Sequence, residues 1–175
     1  AVSGTNNSVL TAKAPSGSAT ITATMARTTT VKQATATKSI SLSKADNTLS
    51  TKTNPTKYTG ETVDVSTCIQ NAIGDVTYAI TTNGPTTAST ISGSTVTLGA
   101  MNGSNDNNQT VKVTATAAGN GNYSSGTAVV TITVQKYTRT ISFKSTVPST
   151  MKYNATATAA VDTSGSGGTA GTVSY

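Results

Sequence analysis

The chain has 175 residues, of which 40 are Thr and 21 are Ser, and its formal net charge is +6. It contains no His, no Trp and a single Cys. This composition excludes a His-based catalytic triad, a zinc site that uses His, and a disulfide within the chain. No apolar run reaches the length of about 18 residues that a membrane-spanning helix needs, so we predict no membrane insertion.

Apolar residues alternate with polar ones, mostly Thr, in three stretches, which are residues 19–25, 110–118 and 127–136. A period of two residues is typical of β-strands that bury one face. No stretch has an apolar stripe at helical spacing, so we expect essentially no helix. The residues predicted to face inward are Ala19, Ile21, Ala23, Met25, Val111, Val113, Ala115, Ala117, Ala128, Val130, Ile132 and Val134.

Turn-forming residues separate the strand-like stretches. The runs 83–85, 92–94 and 119–122 contain Gly and Asn, which tolerate a positive φ, and residues 101–109 form a polar loop. Short strands with a turn signal every eight to twelve residues or so are typical of an antiparallel sandwich. We therefore predict an all-β fold.

The chain also matches itself at a spacing of 92 residues. Residues 19–44 align with residues 111–136 without a gap, with 8 identities in 26 positions and the same apolar phase. Lys38 is the exception, because it takes the inward position that Val130 has in the second copy. Such a match indicates an internal repeat.

A second match lies further along the repeat. Lys57-Tyr58 aligns with Lys152-Tyr153 at a spacing of 95, and residues 74–78 align with 171–175 at 97. These matches predict that residues 1–44 are the C-terminal half of one repeat, residues 45–136 a complete repeat, and residues 137–175 the N-terminal half of the next. We expect the chain to be an excerpt of a longer tandem array.

Three stretches carry a resemblance to a known family: VLTAKAPSGSATITATM (residues 9–25), VTATAAGNGNY (113–123) and the junction at 135–141. They resemble the bacterial immunoglobulin-like repeats, group 2 and related types, of bacterial surface proteins, adhesins and phage structural proteins. The resemblance implies tandem immunoglobulin-like β-sandwiches. Residues 27–31 read RTTTV where the second copy has GNGNY, so we expect the first copy's turn to differ.

The few aromatic residues are expected to lie in the core. Tyr123 follows a tight turn at the start of the last strand of the repeat. We predict that its ring covers the end of the core and that its hydroxyl bonds to a loop, rather than that it stacks on a ligand. The same core role is predicted for Tyr58, Tyr78 and Phe143.

Several residue groups have the composition of a chemical site but a simpler explanation. Glu61 and Asp64 are three residues apart in a strand-like run and so point to opposite faces, unlike a glycosidase pair. Residues 105–108 offer a calcium ion only one carboxylate. Cys68 has no cationic neighbour in the sequence, so a core position is expected.

An isopeptide cross-link would need a Lys such as Lys52 or Lys57, an acid such as Glu61 or Asp64, and a later Asn. Any domain of this composition contains those residue types. We therefore predict no catalytic, cofactor-binding or metal-binding residue and no enzymatic activity.

Charge is unevenly distributed along the chain. Residues 1–44 hold five basic and no acidic residues (+5), residues 45–136 four and five (−1), and residues 137–175 three and one (+2). The basic residues are not gathered with aromatic ones, so we predict no nucleic-acid binding.

Two classes of function fit these observations. The first is a spacer in an extracellular, cell-surface or virion-surface protein, with junctions near residues 44–46 and 135–137, that supports an adhesive tip. The second is a module that binds surface glycans through the loop tips 101–109 and 119–122. Half repeats would expose strand edges, so neighbouring repeats of the same chain or another copy are the expected partners, and a self-assembling fibre subunit is a further alternative.

Overall fold

A computed structural model describes residues 9–101, 103, 107–165, 167–168 and 171–175. Within these residues the chain is all-β, with thirteen strands and a single 3₁₀ helix, Val65–Cys68. The expectation of essentially no helix is confirmed over this part of the chain. None of the helical structure described there is long and apolar enough to cross a membrane.

In chain order the strands are β1 Gly17–Met25, β2 Ala34–Leu42, β3 Ser50–Thr51, β4 Thr56–Tyr58, β5 Thr62–Asp64, β6 Ile69–Gln70, β7 Val76–Asn83, β8 Thr90–Ser92, β9 Thr95–Thr97, β10 Gln109–Ala117, β11 Gly126–Gln135, β12 Thr140–Phe143 and β13 Val161–Ser164.

The strands form one four-stranded sheet and several smaller ones. The four-stranded sheet has the order β4-β11-β10-β7, and a three-stranded sheet has the order β5-β9-β8. β1 pairs with β2, β3 with β6, and β12 with β13, each antiparallel. β1, β10 and β11 coincide with the three stretches predicted as strands.

Contacts divide the chain into two units. The first consists of the described residues up to Thr53 together with Val65–Ala79 and Val113–Val130. It holds the β1–β2 hairpin and an apolar cluster of Leu49, Ala115, Ala117 and Ala128, against which Ile69, Val76 and Tyr78 pack.

The second unit consists of Asn54–Asp64, Ile80–Lys112 and the described residues from Thr131 onward. In its three-stranded sheet, Val63 and Ile91 both lie opposite Val96, whose side chain is fully buried. Ser89 is buried as well, and its hydroxyl accepts a hydrogen bond from Gly99 N at 3.0 Å.

The inward faces of β10 and β11 follow the predicted alternation. Val111, Val113, Ala115 and Ala117 are 0% exposed. The inward residues of β11, which are Ala128, Val130, Ile132 and Val134, are buried too. Removing this much apolar surface from water is the main stabilisation that a small β fold has available.

The predicted core role of the aromatic residues is only partly right. Tyr78 is half-buried against the apolar cluster, as expected. Phe143, however, is 67% exposed and Tyr123 is 36% exposed, so neither is a core residue. The core is instead filled by Val, Ile, Leu and Ala, because the inward positions of the long strands are of those types.

Candidate interaction surface

The β1–β2 hairpin has one hydroxyl face and one apolar face. In its register Ala19 lies opposite Ile40, and Ile21 lies opposite Lys38. Directly opposed residues of an antiparallel pair share a face. One face therefore carries only Ser and Thr: Ser18, Thr20, Thr22, Thr24, Thr35, Thr37, Ser39 and Ser41. The other carries Gly17, Ala19, Ile21, Ala23, Met25, Ala34, Ala36, Lys38, Ile40 and Leu42.

The apolar face of this hairpin is largely open. Met25 is 53% exposed, and Ile21, Ile40 and Leu42 are only partly covered. A groove of about 440 Å³ runs along the face and is lined on its other side by residues 10–14. The sequence predicts that Ala19, Ile21, Ala23 and Met25 share one face of the strand, and they do. It also predicts that this face is buried, but no other described part of the chain covers it fully.

A second open apolar face belongs to the β12–β13 hairpin. Ile141 and Phe143 lie on it, opposite Thr163 and Val161 respectively. Ile141 is 61% exposed. The polar face carries Asp162, which forms a solvent-exposed ion pair with Lys144 at 3.6 Å, an interaction of little energetic weight.

The β12–β13 pair repeats the register of the β3–β6 pair. Ser50 lies opposite Gln70, and 92 residues further along Ser142 lies opposite Asp162. At the same spacing, Ile141 on the open face corresponds to Leu49, which is buried in the apolar cluster.

A backbone hydrogen bond beside each pair repeats at the same spacing. Lys52 N donates to Cys68 O at 2.7 Å, and Lys144 N donates to Ala160 O at 2.9 Å. The gap-free spacing of 92 thus holds on both sides of residues 145–159, whereas the matches in sequence alone had shifted to 95 and 97.

Two turns that differ in sequence have the same hydrogen bonds. The Asn120 side-chain oxygen accepts from Asn122 N at 2.9 Å and from Tyr123 N at 3.1 Å. The Thr28 hydroxyl, 92 residues earlier, accepts from Thr30 N at 3.3 Å and from Val31 N at 3.0 Å.

The backbone closes both turns in the same way. Thr28 N donates to Val31 O at 2.9 Å, and Asn120 N donates to Tyr123 O at 3.1 Å. The prediction that the first copy's turn would differ is therefore wrong at the level of hydrogen bonding. A Thr hydroxyl and an Asn amide oxygen both reach the backbone two and three residues ahead, so they are interchangeable here.

We call residues 45–136 the central segment. The turn at 119–124 forms hydrogen bonds with the start of this segment and with Lys44, the residue before it. Ala45 N donates to Asn122 O at 3.0 Å, and Ser124 N donates to Ala45 O at 2.9 Å. Lys44 Nζ adds a bond of 2.9 Å to Asn120 O. The predicted junction near residue 45 is thus held by the turn that also carries Tyr123.

The junction at the other end of the central segment is built on Tyr137. Its ring stacks on Tyr58, with centroids 4.1 Å apart. A Cβ at Gly167 would overlap the Tyr137 ring, so only Gly fits there. Arg139 donates to Gly167 O at 2.6 Å and to Gly168 O at 2.5 Å. The aromatic and guanidinium groups together fix the chain just after residue 136.

The stretch from 45 to 59 runs parallel beside the last strand of the central segment. In the first unit, the Ala45–Tyr123 bridge is parallel, and the Thr51 hydroxyl donates to Val129 O at 2.8 Å. We call this pairing of residues 45–59 with residues 122–135 the parallel clamp.

The parallel clamp continues in the second unit. Asn54 Oδ1 accepts from Thr131 N at 2.7 Å, and Thr133 N donates to Pro55 O at 3.0 Å. β4 then pairs in parallel with the end of β11, and Thr59 N donates to Gln135 O at 3.0 Å. The sequence reads here as a polar loop with one Pro, so no period-two pattern indicated this clamp.

The candidate groups Lys57, Glu61, Asp64 and Cys68 lie between the start of β4 and the end of the 3₁₀ helix. The Glu61 carboxylate accepts from Tyr58 N at 2.8 Å and closes the β4–β5 turn, while Asp64 ends β5. Cys68 is buried, which confirms its predicted core position. Lys57 lies in β4 opposite Val134.

Two further predictions, the calcium alternative at 105–108 and the glycan-binding loop tip at 101–109, lie partly outside the described residues. Among the residues that are described, no group of three or more His, Cys, Asp or Glu side chains is placed to hold a metal ion.

Compared with protein-family models, with curated proteins and with solved structures, the chain matches none. The structure itself defines the class: an all-β protein whose strands form several small sheets. Function is therefore inferred from the geometry of the two open faces, the two junctions and the parallel clamp.

Proposed function

We propose that this chain is a non-catalytic, load-bearing spacer made of tandem immunoglobulin-like sandwiches in an extracellular, cell-surface or virion-surface protein. The central segment is the complete repeat, and residues 1–44 and 137–175 are halves of its neighbours. The 92-residue recurrence of the Thr28 and Asn120 turns, and of the β3–β6 and β12–β13 registers, supports this arrangement.

The parallel clamp is the observation that carries the load-bearing role. Tension on a chain of repeats enters the central segment near Ala45 and leaves it near Lys136. In each unit the contacts between residues 45–59 and 122–135 are parallel, so those two points pull the paired stretches in opposite directions along their length. Within each unit, the hydrogen bonds between the two stretches are then loaded together rather than opened one after another.

Single-molecule force spectroscopy on the full chain tests this role. Pulling through the two termini should give a rupture event that releases a contour length of about 300 Å, the extended length of the 92-residue central segment. Thr51→Val removes one side-chain bond of the clamp, so the rupture force should fall. The free energy of unfolding should fall only by about 1 kcal/mol, because one hydrogen bond contributes about that much.

Thr81→Val is the matched control. It also removes an exposed hydroxyl-to-carbonyl bond, from Thr81 to Lys112 O, but on strands that the clamp does not include. Its rupture force should equal that of the unmodified chain. Equal losses in the two variants, or rupture without a resolvable peak, would contradict a load-bearing clamp.

The glycan-binding alternative stays a prediction. Of its two loop tips, the one at 119–122 already accepts hydrogen bonds from Lys44, through Asn120 O, and from Ala45, through Asn122 O. The spacer interpretation uses this contact, and the glycan interpretation does not need it.

A further inference from the structure

We propose that the open apolar face of the β1–β2 hairpin is covered by residues 137–175 of a second copy of this chain, so that copies join head to tail. This interface rests on the repeat arrangement of the proposed function, but it does not depend on the load-bearing role. The occupant is identified by what covers the corresponding face in the central segment.

The central segment supplies the template for the covered state. Ile40 and Leu42 correspond, 92 residues later, to Ile132 and Val134, which are 0% exposed. Ala115, Ala117 and Ala128 on the face formed by β10 and β11 are buried in an apolar cluster with Leu49, from the first half of the segment. A face with the same apolar phase on β1 and β2 therefore fits a first half of the same kind.

Residues 137–175 have the features of such a first half. The β12–β13 pair has the register of β3–β6, and Ile141 occupies the position of the buried Leu49. Ile141, Phe143, Tyr153 and Tyr175 are all more than half exposed in a single copy. Two exposed apolar surfaces that correspond to the two halves of one buried core are complementary.

The turn at Thr28 adds a second point of contact. In the central segment, the equivalent turn accepts a hydrogen bond from the Lys44 side chain and forms backbone hydrogen bonds with Ala45. Lys136 and Tyr137 are the residues 92 positions after Lys44 and Ala45. When two copies are joined, the Thr28 turn of one copy should form the corresponding hydrogen bonds with Lys136 and Tyr137 of the other.

One residue limits the strength of this interface. Lys38 stands where the buried Val130 stands in the central segment, and covering a cation costs free energy. We therefore expect reversible association in the micromolar range.

Two matched variants test the interface in the full chain. Ile40→Asp disables the β1–β2 face and leaves residues 137–175 intact, while Ile141→Asp does the reverse. Analytical ultracentrifugation of the unmodified chain should show a concentration-dependent series of oligomers. Each variant alone should have its dissociation constant raised by about tenfold or more, so it should be largely monomeric at concentrations near the dissociation constant of the unmodified chain, because a charge replaces a buried aliphatic side chain.

An equimolar mixture of the two variants is the decisive measurement. Each retains one working face, so the mixture should form a one-to-one dimer and no larger species. Lys38→Val should tighten association by about tenfold, because it makes the face uniformly apolar. Thr37→Asp, on the hydroxyl face of the same strand, is the control and should associate like the unmodified chain.

Three results would overturn the interface. The first is an unmodified chain that stays monomeric at about 100 μM, which is above the expected micromolar dissociation constant. The second is an equimolar mixture of the two variants that stays monomeric. The third is a Thr37→Asp variant that associates as weakly as Ile40→Asp. Circular dichroism melting of each variant establishes that the central segment is folded, so that loss of association is not loss of structure.

Discussion

Thr28 and Asn120 close their turns with different side chains and the same hydrogen-bond pattern. In each case one side-chain oxygen accepts from the backbone N–H groups two and three residues ahead. The sequence comparison gave no identity at this position, and it predicted two different turns. Hydrogen-bonding geometry, rather than residue identity, is what the two turns share.

This equivalence predicts the outcome of exchanging the side chains. Asn120→Thr should keep the turn, so the free energy of unfolding should stay within about 0.5 kcal/mol of the unmodified value. Asn120→Val has the shape of Thr without the acceptor and should lose about 1 kcal/mol. Urea unfolding of the three proteins measures both effects. Equal losses for Thr and Val would show that the Thr hydroxyl does not replace the amide oxygen.

At the scale of the strand, the two faces of β11 differ sharply in burial. Ile132 is 0% exposed, whereas Val129 on the opposite face is 45% exposed. Ile132→Ala should therefore lower the free energy of unfolding by about 2–5 kcal/mol, through lost burial and the cavity that remains. Val129→Ala, a surface change, should stay within about 0.5 kcal/mol. Equilibrium denaturation distinguishes the two, and similar losses would contradict the assigned inward face.

The inward face of β11 was predictable because a strand with one wet face alternates apolar and polar residues. The same reasoning gave the phase of β1, where Ile21 and Met25 share a face as expected. The alternation could not predict how exposed that face is, because it indicates which side chains share a face and not whether another sheet covers that face. Phe143 is predicted to be a core residue because aromatic residues are few in this chain, and it is exposed.

The parallel clamp was not predictable from periodicity. Residues 45–59 contact the last strand through side-chain and backbone atoms of Thr51, Asn54 and Pro55, so their apolar residues need not alternate. Its ends, however, lie at residues 45 and 135, close to the junctions that the 92-residue repeat had predicted. The repeat spacing was thus informative where local pattern was not.

At the scale of the whole molecule, the two open apolar faces lie on the two basic segments. Residues 1–44 carry +5 and residues 137–175 carry +2, from five basic residues against none and from three against one. If these segments join between copies, apolar burial provides the attraction and the charges oppose it. Ionic strength then acts on association in the direction opposite to that of an ionic interface.

Association should therefore strengthen as NaCl is raised from about 0.01 M to about 0.3 M, by roughly threefold or more in the dissociation constant, because the repulsion between like charges is screened. Sedimentation of the full chain across this range measures the slope. The double variant Lys32→Gln, Lys38→Gln lowers the charge of residues 1–44 from +5 to +3 and should flatten it. Association that weakens with salt would instead indicate pairing of opposite charges. The open apolar faces offer no acidic residue for such pairing, because Asp162, the single acid of residues 137–175, lies on the polar face of β13 and pairs with Lys144.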